Sequence, residues 1–142
     1  MKEEEIRQKV GELEIYRLQL DTLGKQDEIL RINIEEFMRA RDTLQGIKEI
    51  KTGDEILVPI GANFFVHAQI GDVQKVISNL GSTIAASEEI DEALKRLDKH
   101  IDELNKAGQE LANNVTELEA RCATLTQELQ EAYAQESQKK EE

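Results

Sequence analysis

From Ile90 onward, apolar side chains recur at alternating steps of four and three residues: Ile90, Leu94, Leu97, Ile101, Leu104, Gly108, Leu111, Val115, Leu118, Cys122, Leu125, Leu129 and Ala132. A strict seven-residue repeat drifts around a straight helix of 3.6 residues per turn. It stays on one partner only if two helices wind around each other in a left-handed supercoil. A stripe of two positions per heptad is also narrower than the face a helix buries in a globular core. One set of these positions, Leu97, Leu104, Leu111, Leu118 and Leu125, is all leucine, and the other mixes Leu, Ile and Val with two small residues. Ser87, followed by Glu88 and Glu89, offers an N-cap and first-turn acids that suit the helix dipole, which predicts a helix beginning at residue 88.

The first 52 residues repeat the pattern less cleanly. Leu13, Tyr16, Leu20, Leu23, Leu30, Ile34, Phe37 and Leu44 form a seam interrupted by Lys9, Asp27 and Arg41. At ~1.5 Å per residue the two helices are each roughly 60–75 Å long. Two heptad helices of similar length joined by a compact insertion favour an antiparallel hairpin, with facing residue numbers that sum to about 136 if Lys48 and Glu88 share its base. Leu13 then faces the region of Ala123 to Leu125, and Ile6 that of Leu129 to Gln130.

Between the helices the period changes from 3.5 to about 2. The runs Glu55–Ile60, Phe64–Ile70, Lys75–Leu80 and Thr83–Ala86 are rich in β-branched and aromatic residues and are separated by Gly61-Ala62-Asn63, Gly71-Asp72 and Gly81-Ser82 turn signals. They predict four strands in two β-hairpins, with Pro59 at an edge or a bulge because it cannot donate a ladder hydrogen bond. Isolated two-stranded hairpins are marginal in water, and the narrow base of a coiled coil covers little of them. Hairpins from several subunits closing into a shared barrel solve this, so the chain is expected to be an obligate oligomer whose helices project with free far ends. The fold class expected is mainly α with a small β part, in one domain over residues 1–142: an N-terminal coiled-coil helix (1–52), two β-hairpins for assembly (53–87) and a C-terminal coiled-coil helix (88–142).

Composition narrows the function. The 142 residues carry 18 basic and 30 acidic side chains, a net charge of −12, which is the wrong sign for phosphate backbones and anionic membrane surfaces. No stretch approaches the ~20 apolar residues of a membrane span. The polar start MKEEEIRQKV lacks a signal-peptide core, and the single Cys122 has no internal disulfide partner. A cytoplasmic protein with neither nucleic-acid nor membrane partners is expected. The acidity is concentrated late: between His100 and Glu136 only Lys106 and Arg121 stand against eight carboxylates. Such a surface is expected to keep a long helix pair with an apolar seam soluble.

No catalytic, cofactor or metal-binding constellation is present. His67 and His100 have no ligands at metal spacing, Cys122 lies in the seam where a small thiol packs inertly, and no phosphate-cradling glycine loop occurs. Gly108 in the seam costs about 1 kcal/mol relative to Ala and fits close helix approach, local bending or a plain packing gap. The free helix ends bring Ile6, Val10 and Leu13 towards Leu125, Leu129 and Tyr133. Those residues either bind exposed hydrophobic segments of other proteins or simply close the coiled coil.

The run Gly53-Asp-Glu-Ile-Leu-Val-Pro-Ile-Gly-Ala62, with Phe65-Val-His-Ala-Gln-Ile70 and Glu88-Glu-Ile-Asp-Glu-Ala-Leu-Lys-Arg-Leu97, resembles the alpha subunits of prefoldin, of archaeal type, over nearly the whole chain. The two-hairpin linker is what marks the alpha class. The resemblance implies a hexamer of two alpha and four beta subunits with a double β-barrel and six coiled-coil arms. It implies an ATP-independent holdase that binds unfolded or nascent polypeptides at the arm tips and passes them to a group II chaperonin. It implies assembly through Ile56, Val58, Ile60, Phe65, Val66, Ile70, Val76, Ile77 and Ile84, and cargo contact through Ile6, Val10, Leu13, Leu125, Leu129 and Tyr133. No cofactor is implied. The alternatives are a coiled-coil scaffold or tether without holdase activity, and a transcript-cleavage factor. The latter needs acids on a tight helix-helix turn, where this chain has a β region.

Overall fold

The computed structural model describes residues 2–79, 81 and 85–141. In chain order the elements are helix α1 (Glu3–Lys48), strands β1 (Glu55–Gly61), β2 (Phe64–Gln69), β3 (Lys75–Asn79) and β4 (Ala85–Glu89), and helix α2 (Ile90–Glu141). The described fold is mainly helical with two separate two-stranded antiparallel sheets, β1–β2 and β3–β4. The chain divides into two compact units, Met1–Ile32 with Asn105–Glu142, and Asn33–Leu104.

In the first unit the two helix segments run antiparallel and share a thin apolar seam. Ile6, Leu13, Leu125, Leu129 and Ala132 are buried together, and Val10, Tyr16 and Cys122 pack against them. Each fully buried Leu or Ile is worth about 1.5–3 kcal/mol, so a few such residues hold this end of the helix pair closed. Polar contacts fix the register along the seam. Lys9 Nζ lies 2.5 Å from Glu128 Oε2, and the Arg121 guanidinium sits 5.9 Å from the centre of the Tyr16 ring while donating to Glu117 at 2.8 Å. These partly exposed contacts each contribute roughly 1 kcal/mol or less. Tyr16 and Glu117 together hold the Arg121 pKa above its ordinary, already strongly basic value, Tyr16 contributing most. A raised base stabilises the fold below its unfolded pKa and loses that contribution only as pH climbs past its folded value. Arg121 therefore adds no pH dependence near neutrality.

Gly108 and Leu30 explain one irregularity of the repeat. A Cβ built on Gly108 meets Leu30 Cδ2 at 3.4 Å, the near limit of ordinary contact, so the glycine marks a close helix approach and leaves little empty space. Gly108→Ala is expected to raise stability by about 0.5–1 kcal/mol, because the helix-propensity gain of alanine meets no hard clash. Urea unfolding followed by circular dichroism checks this; destabilisation would mean that Leu30 cannot yield.

In the second unit Ile90, Ala93, Leu94 and Ile101 are buried. Phe37 stacks on His100 with ring centres 4.4 Å apart, Arg41 Nη1 reaches Asp98 at 3.5 Å and Lys48 Nζ reaches Asp91 at 2.6 Å. Arg41 and Asp27, the charged interruptions of the first seam, are both half-buried at seam positions, and each is answered by a counter-charge: Asp98 for Arg41, and Arg31 at 2.9 Å for Asp27. The facing numbers sum to 137 for Lys9 and Glu128 and to 139 for Arg41 and Asp98, close to the 136 expected.

The hairpins follow the turn chemistry. The β1–β2 register runs from Glu55 opposite Gln69 to Pro59 opposite Phe65, then skips Ile60 and resumes with Gly61 opposite Phe64. The bulge falls at the residue after Pro59, where no proline N–H is needed. Ala62 and Asn63, both with positive φ (49° and 63°), make the two-residue turn, the geometry that matches strand twist. At the other end Gly53, at φ 92°, donates to Ile70 O at 2.8 Å, and Asp54 O accepts from Ile70 N at 2.9 Å. Asp54 Oδ2 also accepts from Lys51 N, turning the chain out of α1.

The second hairpin corrects the sequence reading. The fourth strand, Ala85–Glu89, continues past the expected end at Ala86, and α2 begins at Ile90 rather than at 88; the expected strand start at Thr83 and Ile84 lies outside the described residues. Ser87 is not an N-cap; it lies opposite Ile77 in the ladder, with Val76 opposite Glu88 and Lys75 opposite Glu89. The weak strand propensity of AASEE is overridden by pairing with Lys75–Asn79, and Ile90 N closes the ladder on Gln74 O at 2.8 Å.

Candidate functional sites on the hairpins and the helix ends

The hairpins carry apolar side chains on both faces. Directly opposed residues of an antiparallel pair point to the same face. Ile56 with Ala68 and Val58 with Val66 therefore share one face of β1–β2, and Leu57 with His67 and Pro59 with Phe65 share the other. Large groups remain open to solvent: Phe64 is 68% exposed, Ile60 64% and Ile77 79%, with Leu57 and Phe65 nearly as open. Of the expected assembly residues, Val58, Ile60, Phe65, Val66 and Ile77 are exposed, while Ile56, Ile70 and Val76 are half-buried. Ile84 lies outside the described residues. Leu57 and Phe64, not among the expected assembly residues, are also exposed. They alternate with the chosen residues in the same runs, and the presence of apolar groups on both faces was the signal that could have found them. His67 Nδ1 and Glu55 Oε1 are in hydrogen-bond contact across this hairpin.

The helix ends look different. Ile6, Leu13, Leu125 and Leu129 are each 6–8% exposed within the seam, and Val10 is half-buried. Of the six residues expected to contact cargo, only Tyr133 is open, at 51% exposure. It lines a shallow cleft with Ile6, Arg7, Glu136, Lys139 and Lys140. The other five stand inside the coiled coil, where they meet a second protein only if the helices part.

Among the described residues no group of three or more His, Cys, Asp or Glu side chains is placed to hold a metal ion, and no helix is long and apolar enough to cross a membrane. Cys122 is a free, half-buried thiol.

Heptad-patterned helices joined through two β-hairpins with exposed apolar side chains define a coiled-coil protein with a small β part. The family model described as prefoldin subunit matches residues 16–135, and the chain belongs to the prefoldin family, as an alpha subunit of archaeal type. It is 38% identical over 112 residues to prefoldin subunit alpha of Methanopyrus kandleri, covering 76% of this chain and 71% of that one. It is 31% identical to prefoldin subunit alpha of Pyrococcus horikoshii, covering 94% and 90%. Among solved structures it is similar to a chain of the filamentous PFD from Methanocaldococcus jannaschii, with a TM-score of 0.67, 28% identity, and 81% and 95% of the two chains covered. The prefoldin beta subunit from Thermococcus strain KS-1 shares the fold, with a TM-score of 0.61 at 19% identity over 90% and 91% of the chains. The chain is thus a subunit of the prefoldin family of chaperones.

Proposed function

We propose that this chain is the alpha component of a cytoplasmic, ATP-independent holdase that captures unfolded or nascent polypeptides at its helix ends and passes them to a group II chaperonin. The observation that carries the reading is the set of exposed apolar groups on the hairpins, Leu57, Ile60, Phe64, Phe65 and Ile77. One chain leaves them in water. In a barrel shared with beta subunits, two alpha to four beta, they become core. Cargo then meets the helix ends of the first unit. Tyr133 is the first contact there, and Ile6, Val10, Leu13, Leu125 and Leu129 become available as the terminal turns fray.

The test is aggregation suppression. The chain co-assembled with a prefoldin beta subunit is expected to keep a chemically unfolded protein from aggregating without ATP. Removing residues 1–10 and 126–142 is expected to reduce that suppression several-fold or more while the complex keeps its subunit composition by native mass spectrometry. Undiminished suppression after trimming would remove the helix ends as the cargo site. Normal assembly of the intact complex with no suppression would instead establish a scaffold or tether.

A further inference from the structure

Charge interrupts the α1 seam of the first unit at Lys9 and at Asp27, and the two are answered differently. Asp27 pairs with Arg31 on its own helix, so that pair does not join the helices. Lys9 stands between Ile6 and Leu13 on α1, and its Nζ reaches Glu128 Oε2 on α2 at 2.5 Å. Among the described residues this is the only ion pair that links the two helices of the unit, the others running within one helix. Its side chains are 29% and 39% exposed. The lysine stem therefore lies along the seam while its amine leaves it for the flank, where Glu128 precedes the buried Leu129. Beyond this pair the seam is thin. Ile6 is the outermost buried residue of α1, and Leu129 and Ala132 are the outermost of α2. The next positions of the repeat, Glu136 and Lys139, are charged and exposed.

A lysine at a core position of a coiled coil lowers stability and is useful where it specifies register. Here the cluster of Ile6, Leu13, Leu125, Leu129 and Ala132 on either side already sets the register. A leucine in place of Lys9 would close the seam more firmly, since apolar packing commonly outperforms a partly buried ion pair. The charge thus lowers the cost of parting the last turns while keeping a contact that closes them. We propose that Lys9 and Glu128 form a salt-sensitive latch, which holds the ends of α1 and α2 closed over Ile6, Leu129 and Ala132 and lets them part reversibly. The latch rests on the capture of unfolded polypeptides proposed above for these ends, and it assigns control of that capture to one ion pair. A pair partly in water is screened by salt, whereas the apolar cluster beside it is not. Parting of the ends therefore responds to ionic strength.

The full-length chain co-assembled with a beta subunit tests this through hydrogen exchange of residues 7–13 and 125–132, with the second unit as reference. Capture is read in parallel as aggregation suppression of a chemically unfolded protein. Raising KCl from about 50 to 500 mM is expected to speed exchange at these ends roughly twofold. K9L is expected to slow it roughly tenfold, abolish the salt response and lower capture. K9E sets two carboxylates against each other and is expected to speed exchange roughly fivefold. K9E/E128K, which restores opposite charges, is expected to return the rate to that of the unaltered chain. Exchange that ignores salt in the unaltered chain, exchange unchanged in K9L, or K9E left unrescued by E128K overturns the latch. Exchange altered equally in both units would make Lys9 a determinant of global stability and overturn it too. Slower exchange in K9L with undiminished capture upholds the latch and instead removes the parted seam as the cargo site, so the two readings fail separately.

Discussion

A chain carrying both Phe65→Asp and Ile77→Asp is expected to fold but not to assemble. Both side chains stand in solvent, 58% and 79% exposed, so in the isolated chain the replacements break no packing, and surface changes of this kind stay within about 0.5 kcal/mol. In the proposed shared barrel the same positions are interior. Each aspartate there is an unpaired carboxylate withdrawn from water, costing roughly 3–5 kcal/mol. Two of them per alpha chain weaken association by three orders of magnitude or more. Native mass spectrometry with a beta subunit is expected to show free alpha chain in place of the mixed complex, while the helical circular dichroism signal and its thermal midpoint stay unchanged. A complex of undiminished mass and stability would mean that the hairpins are not the assembly surface.

The second large effect separates packing from cargo binding at the helix ends. Leu129 is 6% exposed in the seam cluster with Ile6 and Leu125, whereas Tyr133, one turn further on, is half in solvent. Leu129→Ala is expected to cost about 2–4 kcal/mol, since a buried leucine leaves both its transfer energy and a cavity behind. It is expected to raise hydrogen exchange in residues 3–13 and 122–136 while the second unit stays protected. Tyr133→Ala is expected to leave exchange and thermal unfolding unchanged and to reduce capture of an unfolded polypeptide several-fold. If Tyr133→Ala has no effect on capture while Leu129→Ala increases it, cargo is held by the parted seam and not by the exposed ring.

Much of this architecture was legible in the sequence because a supercoil tolerates no drift. Every seam position from Ile90 to Ala132 is buried or half-buried, and so are those from Leu13 to Leu44, including the polar Asp27 and Arg41. The first hairpin was equally visible, since Gly53, Gly61 and Asn63 punctuate it where positive φ is required. The start of α2 was not. Ser87-Glu88-Glu89 satisfies the local chemistry of a helix cap, and only the ladder with Lys75–Asn79, a contact made through space, holds those residues extended. The candidate sites were legible in part for a related reason. Periodicity says which residues share a face but not whether another element covers it. It therefore placed Ile6, Leu13, Leu125 and Leu129 together at the seam without saying whether they close it or bind another protein, and it did not single out Leu57 and Phe64, which stand exposed.

The antiparallel pairing has a kinetic consequence. Lys48 and Asp91, at the hairpin side, meet across a loop of about 43 residues, whereas Lys9 and Glu128 are separated by 119. Closing the shorter loop first costs less chain entropy, and each later seam contact extends a zipper whose next pair is already near, so the cost grows only slowly. Chain entropy therefore favours closure at Lys48 and Asp91 before closure at Lys9 and Glu128. The contacts around Ile6 and Leu129 close the longer loop, and the buried cluster there is what offsets its larger entropic cost. In the proposed capture at the helix ends, a polypeptide would compete with those contacts alone.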